Sequence, residues 1–341
     1  MEVVRFRRSL LRWFSRAKRQ LPWRQTKDPY AIWVSEVMLQ QTTVASVIPY
    51  YARFMARFPT VHALAAAEED AVLSAWSGLG YYSRARNLRL GAQFVTRNHG
   101  GRFPTDIETA MGISGVGRYI ASAVTSIAYG TRAAVVDGNV QRVLSRLHAI
   151  RRPAPARAQE LATGLLSARA PGPFNEAMME LGATICLPTK PRCRSCPVSV
   201  DCKGRSRPEH WSAGKPRRPG LPTQVEMALV KRRGRILLVR NQQGGLLQGL
   251  YELPHAGLPR PEERGQTLRQ RYRGILQIEA GALTSIRHVV THHRIEATIF
   301  RAVLLKRIPA DASFHSREDL LHLPLGGMTR KAIRAADIVS R

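Results

Sequence analysis

The chain has 341 residues, 44% of them hydrophobic, with 53 Lys and Arg against 24 Asp and Glu and a formal net charge of +29. That length suits about two domains, and the apolar content supports a packed core, which excludes disorder of the whole chain. The charge predicts a polyanionic partner or an anionic surface, unless it reflects a generally Arg-rich background; no run of about 18 apolar residues occurs, so no membrane span is expected.

The first twenty residues, basic throughout, read as an amphipathic helix and not as a signal peptide. Asp28-Pro29 signals a helix start ahead of Tyr30, Ile32, Trp33, Val37 and Met38. Further helices fit 43–58, 68–76, 84–98, 117–129, 139–149, 157–168 and 174–185, separated by Gly and Pro. Residues 1–203 therefore form a mostly α region. Residues 204–222 are a basic, Pro/Gly-rich linker expected to run extended beside the partner. Beyond it the period changes to two. Val225, Met227, Leu229 and then Ile236, Leu238 alternate around Arg232-Arg233-Gly234, as in a β-hairpin. Val289-Val290 and 297–305 read as further strands, so 223–341 is a smaller α+β domain.

Four cysteines, Cys186, Cys193, Cys196 and Cys202, have gaps of six, two and five residues. They predict one metal site in a reducing cytosol. A structural zinc more often uses two short knuckles, and only Cys193 and Cys196 form one; zinc stays open on spacing alone. Lys190, Arg192, Arg194 and Lys203 surround these residues and suit phosphates. Gly115 and Gly117, in Ile113-Ser114-Gly115-Val116-Gly117-Arg118-Tyr119, join two predicted helices. Such a hairpin exposes successive N–H groups to an anion, or simply connects the helices. Glu36 has Ile32 and Trp33 one helical turn behind it. Apolar surroundings raise a carboxyl pKa, as a general acid requires; a boundary Glu is the plain alternative. Asp137 precedes Gly138-Asn139 and a helical run, where an N-cap is worth about 1 kcal/mol.

In combination these motifs resemble the endonuclease III/MutY glycosylase superfamily, over nearly all of residues 5–203. The cysteine spacing is similar to its [4Fe–4S] loop, and 113–117 to its Leu-Pro-Gly-Val-Gly hairpin, with Ile-Ser in place of Leu-Pro. Glu36-Val37-Met38-Leu39-Gln40-Gln41-Thr42, Trp23-Arg24 and Gly78-Leu79-Gly80-Tyr81-Tyr82-Ser83-Arg84-Ala85-Arg86-Asn87 resemble the MutY type, the adenine DNA glycosylases. The resemblance implies a six-helix barrel with an iron–sulfur module. It implies that Glu36 protonates adenine and that Asp137 stabilises an oxocarbenium-like sugar. Tyr119, Asn139 and Glu176 would hydrogen-bond these groups or the attacking water. Gln41 and Tyr81 would insert into the DNA stack, Arg84 and Arg86 would serve phosphates, and Arg24 and Arg118 would contact the DNA. Endonuclease III carries a Lys where this chain has Tyr119, so a monofunctional glycosylase is expected.

The element Leu250-Tyr251-Glu252-Leu253-Pro254 resembles one in the Nudix-like C-terminal domains of the MutY type. No R-E-x-x-E-E pattern follows, so metal-dependent nucleotide hydrolysis is not expected there. Val290-Thr291-His292 stands where the family commonly has Phe-Ser-His, implying that Thr291 and His292 meet the oxidised guanine; His292 is otherwise a strand-end histidine. The implied partner is duplex DNA with adenine opposite 8-oxoguanine or guanine. A monomer, no membrane association and a cytoplasmic, nucleoid-associated place in a bacterium are also implied. Two alternatives stay open: a bifunctional pyrimidine-lesion glycosylase of the endonuclease III type, and a non-catalytic iron–sulfur DNA-binding protein.

Overall fold

The structure, a computed structural model, describes residues 2–211, 220–242, 247–257, 266–290, 293–306 and 310–339. Thr291, His292 and residues 212–219 of the expected linker lie outside them. Two compact units divide the chain: Met1–Ala66 with Asn87–Pro216, and Ala67–Arg86 with Arg217–Arg341.

The helices are α1 Val3–Ala17, α2 Pro29–Leu39, α3 Val44–Arg57, α4 Val61–Ala66, α5 Glu69–Trp76, α6 Ser83–His99, α7 Ile107–Met111 and α8 Arg118–Tyr129. There follow α9 Gly138–His148, α10 Pro155–Leu165, α11 Pro171–Thr184 and the short α12 Pro208–Trp211. The apolar periods place these helices close to where the sequence predicts them. In α1, Glu2 caps the start by accepting the Arg5 N–H at 3.2 Å. Phe6, Leu10 and Phe14 recur every fourth residue and are buried against α9 and α11, among Leu144, Phe174 and Leu181. The opposite face of α1 carries the expected arginines to solvent.

Helix α2 is different, because every residue from Tyr30 to Met38 is buried. It starts on the predicted signal: Pro29 occupies the first position and Asp28 accepts the Tyr30 N–H at 3.0 Å. A helix with no polar face must be wrapped by neighbours on all sides. Helix α11 approaches α9 closely at Gly182, where a Cβ would stand 2.7 Å from the Asn139 Cβ. That approach fixes the first turn of α9 and with it Asp137.

The second unit holds strands β1 Leu221–Arg232, β2 Arg235–Arg240, β3 Tyr251–Glu252, β4 His255–Ala256, β5 Leu276–Ile278, β6 Thr284–Val290, β7 His293–Leu304 and β8 Ala312–His315. Its helices are α13 Leu268–Arg271, α14 Asp319–His322 and α15 Gly327–Val339. The sheet is mixed. Its spine runs β3-β2-β1-β7-β5, with β1 and β7 parallel from Leu221↔His293 to Val230↔Ala302. The predicted hairpin joins β1 to β2. Arg233 and Gly234 both have positive φ, 50° and 76°, as a two-residue turn of the right twist needs. Val225, Met227 and Leu229 face Met328, Ala332 and Ile333 of α15, while Ala228 and Val230 face Leu268 and Leu276. Both faces of β1 are thus covered. Residues 67–86, expected within the helical region, cluster instead with this unit. Asp70 pairs with Arg240 at 2.6 Å, and Ser77 bonds to the Leu325 carbonyl.

No helix among the described residues is long and apolar enough to cross a membrane. Leu10 is fully buried in the first unit's core. Leu10→Ala should therefore cost about 2–5 kcal/mol in chemical unfolding followed by helical circular dichroism.

Candidate active site and DNA-contacting elements

Glu36 lies in the last turns of α2 and is 4% exposed. The Tyr119 hydroxyl, from the first turn of α8, donates to its Oε2 at 2.6 Å. Asp137 caps α9: its Oδ1 accepts the Val140 N–H at 2.7 Å and its Oδ2 the Asn139 Nδ2 at 3.0 Å. Arg142 holds Asn139 in turn, donating from Nη2 to Asn139 Oδ1 at 2.8 Å. Glu176 of α11 pairs with Arg24 at 3.2 Å. Glu36, Tyr119, Asp137, Asn139 and Glu176 all line one cavity of about 160 Å³. That is small for a ligand site and suits a single base-sized ring.

The electrostatics separate the two carboxyls. Burial pushes the Glu36 carboxyl up to about 7, and the negative Asp137 and Glu176 add to the effect. The Tyr119 hydroxyl and Arg24 pull it back. Asp137 is also raised by burial, but the Val140 N–H, Asn139 and Arg142 oppose the rise. Asp137 is thus the carboxyl whose charged form the protein solvates. Glu36 is the one that holds a proton near neutrality.

Sequence reasoning missed the wall behind Glu176. Glu180 is fully buried; it receives Arg24 Nη2 at 2.9 Å and Arg19 Nε at 2.8 Å. The spacing of Glu176 and Glu180, one helical turn apart in an apolar helix, was the available signal. Arg24, expected to contact DNA, is turned inward to these two carboxylates, because they are buried and need a cation.

Arg84 and Arg86, expected at phosphates, make contacts within the chain. Arg84 sits over the rings of Trp76 and Tyr81, at 5.5 and 5.3 Å, and donates to the Gly80 carbonyl at 3.1 Å. Burial lowers its pKa to about 10. Arg86 pairs with Glu69 at 3.0 Å. Arg84 thus braces the turn from inside, and Arg86 ties α6 to the start of α5. Arg118 remains exposed, with a 3.5 Å pair to Glu108.

The hairpin takes the expected form. Gly115 has φ +76°, and a Cβ there would stand 2.7 Å from the Asn87 Cβ. Gly117 caps α8 with no side chain over the helix end, leaving its first N–H groups open. Gln41 and Tyr81, expected to enter DNA, each adopt left-handed backbone, at φ 56° and 50°. Such non-glycine conformations cost about 1–3 kcal/mol and persist where surroundings enforce them. Gln41 is exposed, and Tyr81 is 36% exposed.

Cys186, Cys193, Cys196 and Cys202 are free thiols, half-buried beside the core of the first unit. Cys186, Cys193 and Cys202 all act electrostatically on Cys196, so the four sulfurs share one locality. Among the described residues no three His, Cys, Asp or Glu side chains stand as they would around one metal ion. Arg146, buried beneath the loop, donates to Cys186 Sγ at 3.2 Å and to the Leu187 carbonyl at 2.7 Å. A buried cation aimed at sulfur fits a thiolate-ligated group. Burial first, and then the neighbouring cysteines, lift the Cys193, Cys196 and Cys202 thiols, so thiolates there require positive charge nearby. Lys190, Arg192, Arg194 and Lys203 are exposed around the loop.

The fold and site define the helix–hairpin–helix class of base-excision enzymes: the family model described as "HhH-GPD superfamily base excision DNA repair protein" matches residues 34–167. A NUDIX domain model matches residues 226–335. An adenine DNA glycosylase of Rattus norvegicus is 42% identical over 76% of this chain and 53% of its own. One from Buchnera aphidicola subsp. Baizongia pistaciae is 32% identical over 74% of each chain. A thermostable thymine-DNA glycosylase superposes with a TM-score of 0.56 at 29% identity, covering 60% of this chain and 96% of that one. The chain belongs to the adenine DNA glycosylase family. It spans about half the length of the mammalian relatives it matches. In the Nudix-like unit, α13 reads Leu-Arg-Gln-Arg, so among the described residues that helix offers no carboxylate to a metal.

The raised Glu36 pKa has a sign in stability. Folding favours its protonated form, so that contribution is complete below the ordinary 4.5 and is lost as pH rises through about 7. Glu36→Gln keeps the shape without the charge. It should match wild type near pH 4 and exceed it at pH 8, by an amount on the order of 3 kcal/mol at most in denaturant unfolding.

Proposed function

We propose that this protein is a monofunctional adenine DNA glycosylase acting on adenine opposite 8-oxoguanine or guanine in duplex DNA. The observation that carries the reading is Glu36, a buried carboxyl holding a proton near neutral pH beside an N-capped Asp137 in one base-sized cavity. Adenine flips into that cavity, at a cost of a few kcal/mol that a mismatch reduces. The Glu36 carboxyl gives its proton to a ring nitrogen. The bond from sugar C1′ to the base breaks, and its electron pair leaves with the base. The Asp137 carboxylate stabilises the cationic sugar until water adds at C1′, the water's proton passing to a carboxylate of the site. An abasic site and free adenine result.

Tyr119 supports the monofunctional assignment. It stands where a Schiff-base lysine would be needed, and its hydroxyl is committed to Glu36. The open end of α8 and Arg118 suit a backbone phosphate. In this reading Cys186, Cys193, Cys196 and Cys202 hold a [4Fe–4S] cluster, which supplies a rigid cross-link for the loop when bound. Thr291 and His292 are assigned to the oxidised guanine by resemblance. The enzyme would act as a monomer at the bacterial nucleoid.

Single-turnover release of adenine from duplexes pairing it with 8-oxoguanine and with guanine tests the reading. Release from both, faster with 8-oxoguanine and without strand scission before alkali, is expected. Glu36→Gln should still bind the lesion and release no base; normal turnover by that variant removes the acid assignment. A protein–DNA adduct trapped by borohydride would instead establish the bifunctional chemistry. For the cluster, Cys193→Ser should lose iron and visible absorption in the purified chain, with no zinc taking its place.

A further inference from the structure

The turn that carries Tyr81 is held by residues nearly 250 positions further along the chain. Ser77 is 7% exposed, and its hydroxyl donates to the Leu325 carbonyl at 2.6 Å. The same hydroxyl accepts Arg330 Nη2 at 2.8 Å. On the other side of the turn, Tyr82 Oη reaches the same Leu325 carbonyl at 3.4 Å and accepts the Gly78 N–H at 3.3 Å. One carbonyl therefore clamps both flanks of Gly78-Leu79-Gly80-Tyr81. Helix α5, which leads into the turn, is tied to the same unit by the 2.6 Å pair of Asp70 with Arg240. Inside the turn, the Trp76 indole N–H and the Arg84 guanidinium both donate to the Gly80 carbonyl, at 3.2 and 3.1 Å. The product is Tyr81 at φ 50°, a conformation its own side chain disfavours, with its ring partly in solvent.

We propose that Ser77, Arg330 and the Leu325 carbonyl form a latch by which the Nudix-like unit sets the Tyr81 turn, so that this unit governs lesion discrimination from beneath Tyr81 as well as through its own strands. The proposal rests on the reading of Tyr81 as the residue that stacks beside the oxidised guanine. Ser77 and Arg330 touch no base and are positioning residues. Without the latch the strained turn relaxes, and Tyr81 is presented in more than one way. Binding to the phosphates and the chemistry at Glu36 do not depend on it.

The test uses the full chain with Ser77→Ala, and separately Arg330→Met. Adenine release is timed on the 8-oxoguanine and guanine duplexes. A 2-aminopurine placed next to 8-oxoguanine reports unstacking on binding, without turnover. Ser77→Ala removes both hydrogen bonds of the Ser77 hydroxyl and Arg330→Met one of them; each should lower the 8-oxoguanine-to-guanine rate ratio about three- to tenfold. The rate on the guanine duplex should hold within about twofold, and the 2-aminopurine signal should fall. Ser77→Ala added to Tyr81→Ala should have no further effect, because the latch acts through Tyr81. Ser77→Thr, which keeps the hydroxyl, should restore the ratio. An unchanged ratio and fluorescence in both variants overturns the latch, as does full additivity with Tyr81→Ala. A wild-type chain that releases no adenine overturns the functional reading instead, and the fluorescence arm still decides the latch.

Discussion

Burying the Glu36 carboxyl is the constraint on which the first unit depends. A proton-donating acid near neutral pH needs an environment that penalises its charge. The chain provides it with a helix buried all round, and that helix must in turn be enclosed by α3, α8 and their neighbours. Tyr119 then meets the acid from α8, and Asp137 meets the same cavity from the cap of α9. The close approach of α11 at Gly182 keeps that cap in place.

Buried carboxylates recruit the arginines. Glu176 and Glu180 line the cavity wall, and Arg19 and Arg24 neutralise them. A partner removed from such a network leaves an uncompensated buried charge, at a cost of about 3–5 kcal/mol. Arg146 plays a related part beneath the cysteine loop, with four acceptors taken from the backbone and Cys186. A chain with a formal charge of +29 thus spends part of its arginine on its own interior. Others, such as Arg8, Arg12 and Arg16 on α1 and Arg192 and Arg194 in the cysteine loop, face outward.

Much of this was legible in the residues. The capped start of α2, the apolar period of α1, the hairpin at Gly115 and Gly117 and the β1–β2 turn are local features, settled by neighbours within a few positions. Their physical causes act over the same range: caps, periodicity and permitted φ. Glu36 was legible because its neighbours one turn away are themselves apolar. The fates of Arg24, Arg84 and Arg86 were not legible. A guanidinium suits a phosphate and a carboxylate equally well, and the choice lies with elements distant in sequence, such as Glu176 and Glu180 for Arg24.

The sequence by itself determined that a helical region precedes a smaller α+β one, most of the elements within them and the chemical types at the site. It did so because burial periods and turn residues are short-range signals. Only the tertiary structure decided that Glu36, Tyr119, Asp137 and Glu176 share one cavity. It alone tied the Tyr81 turn to Leu325 and Arg330 of the Nudix-like unit. Those outcomes depend on contacts between segments far apart in the chain, where packing and desolvation choose among partners that local chemistry leaves equivalent.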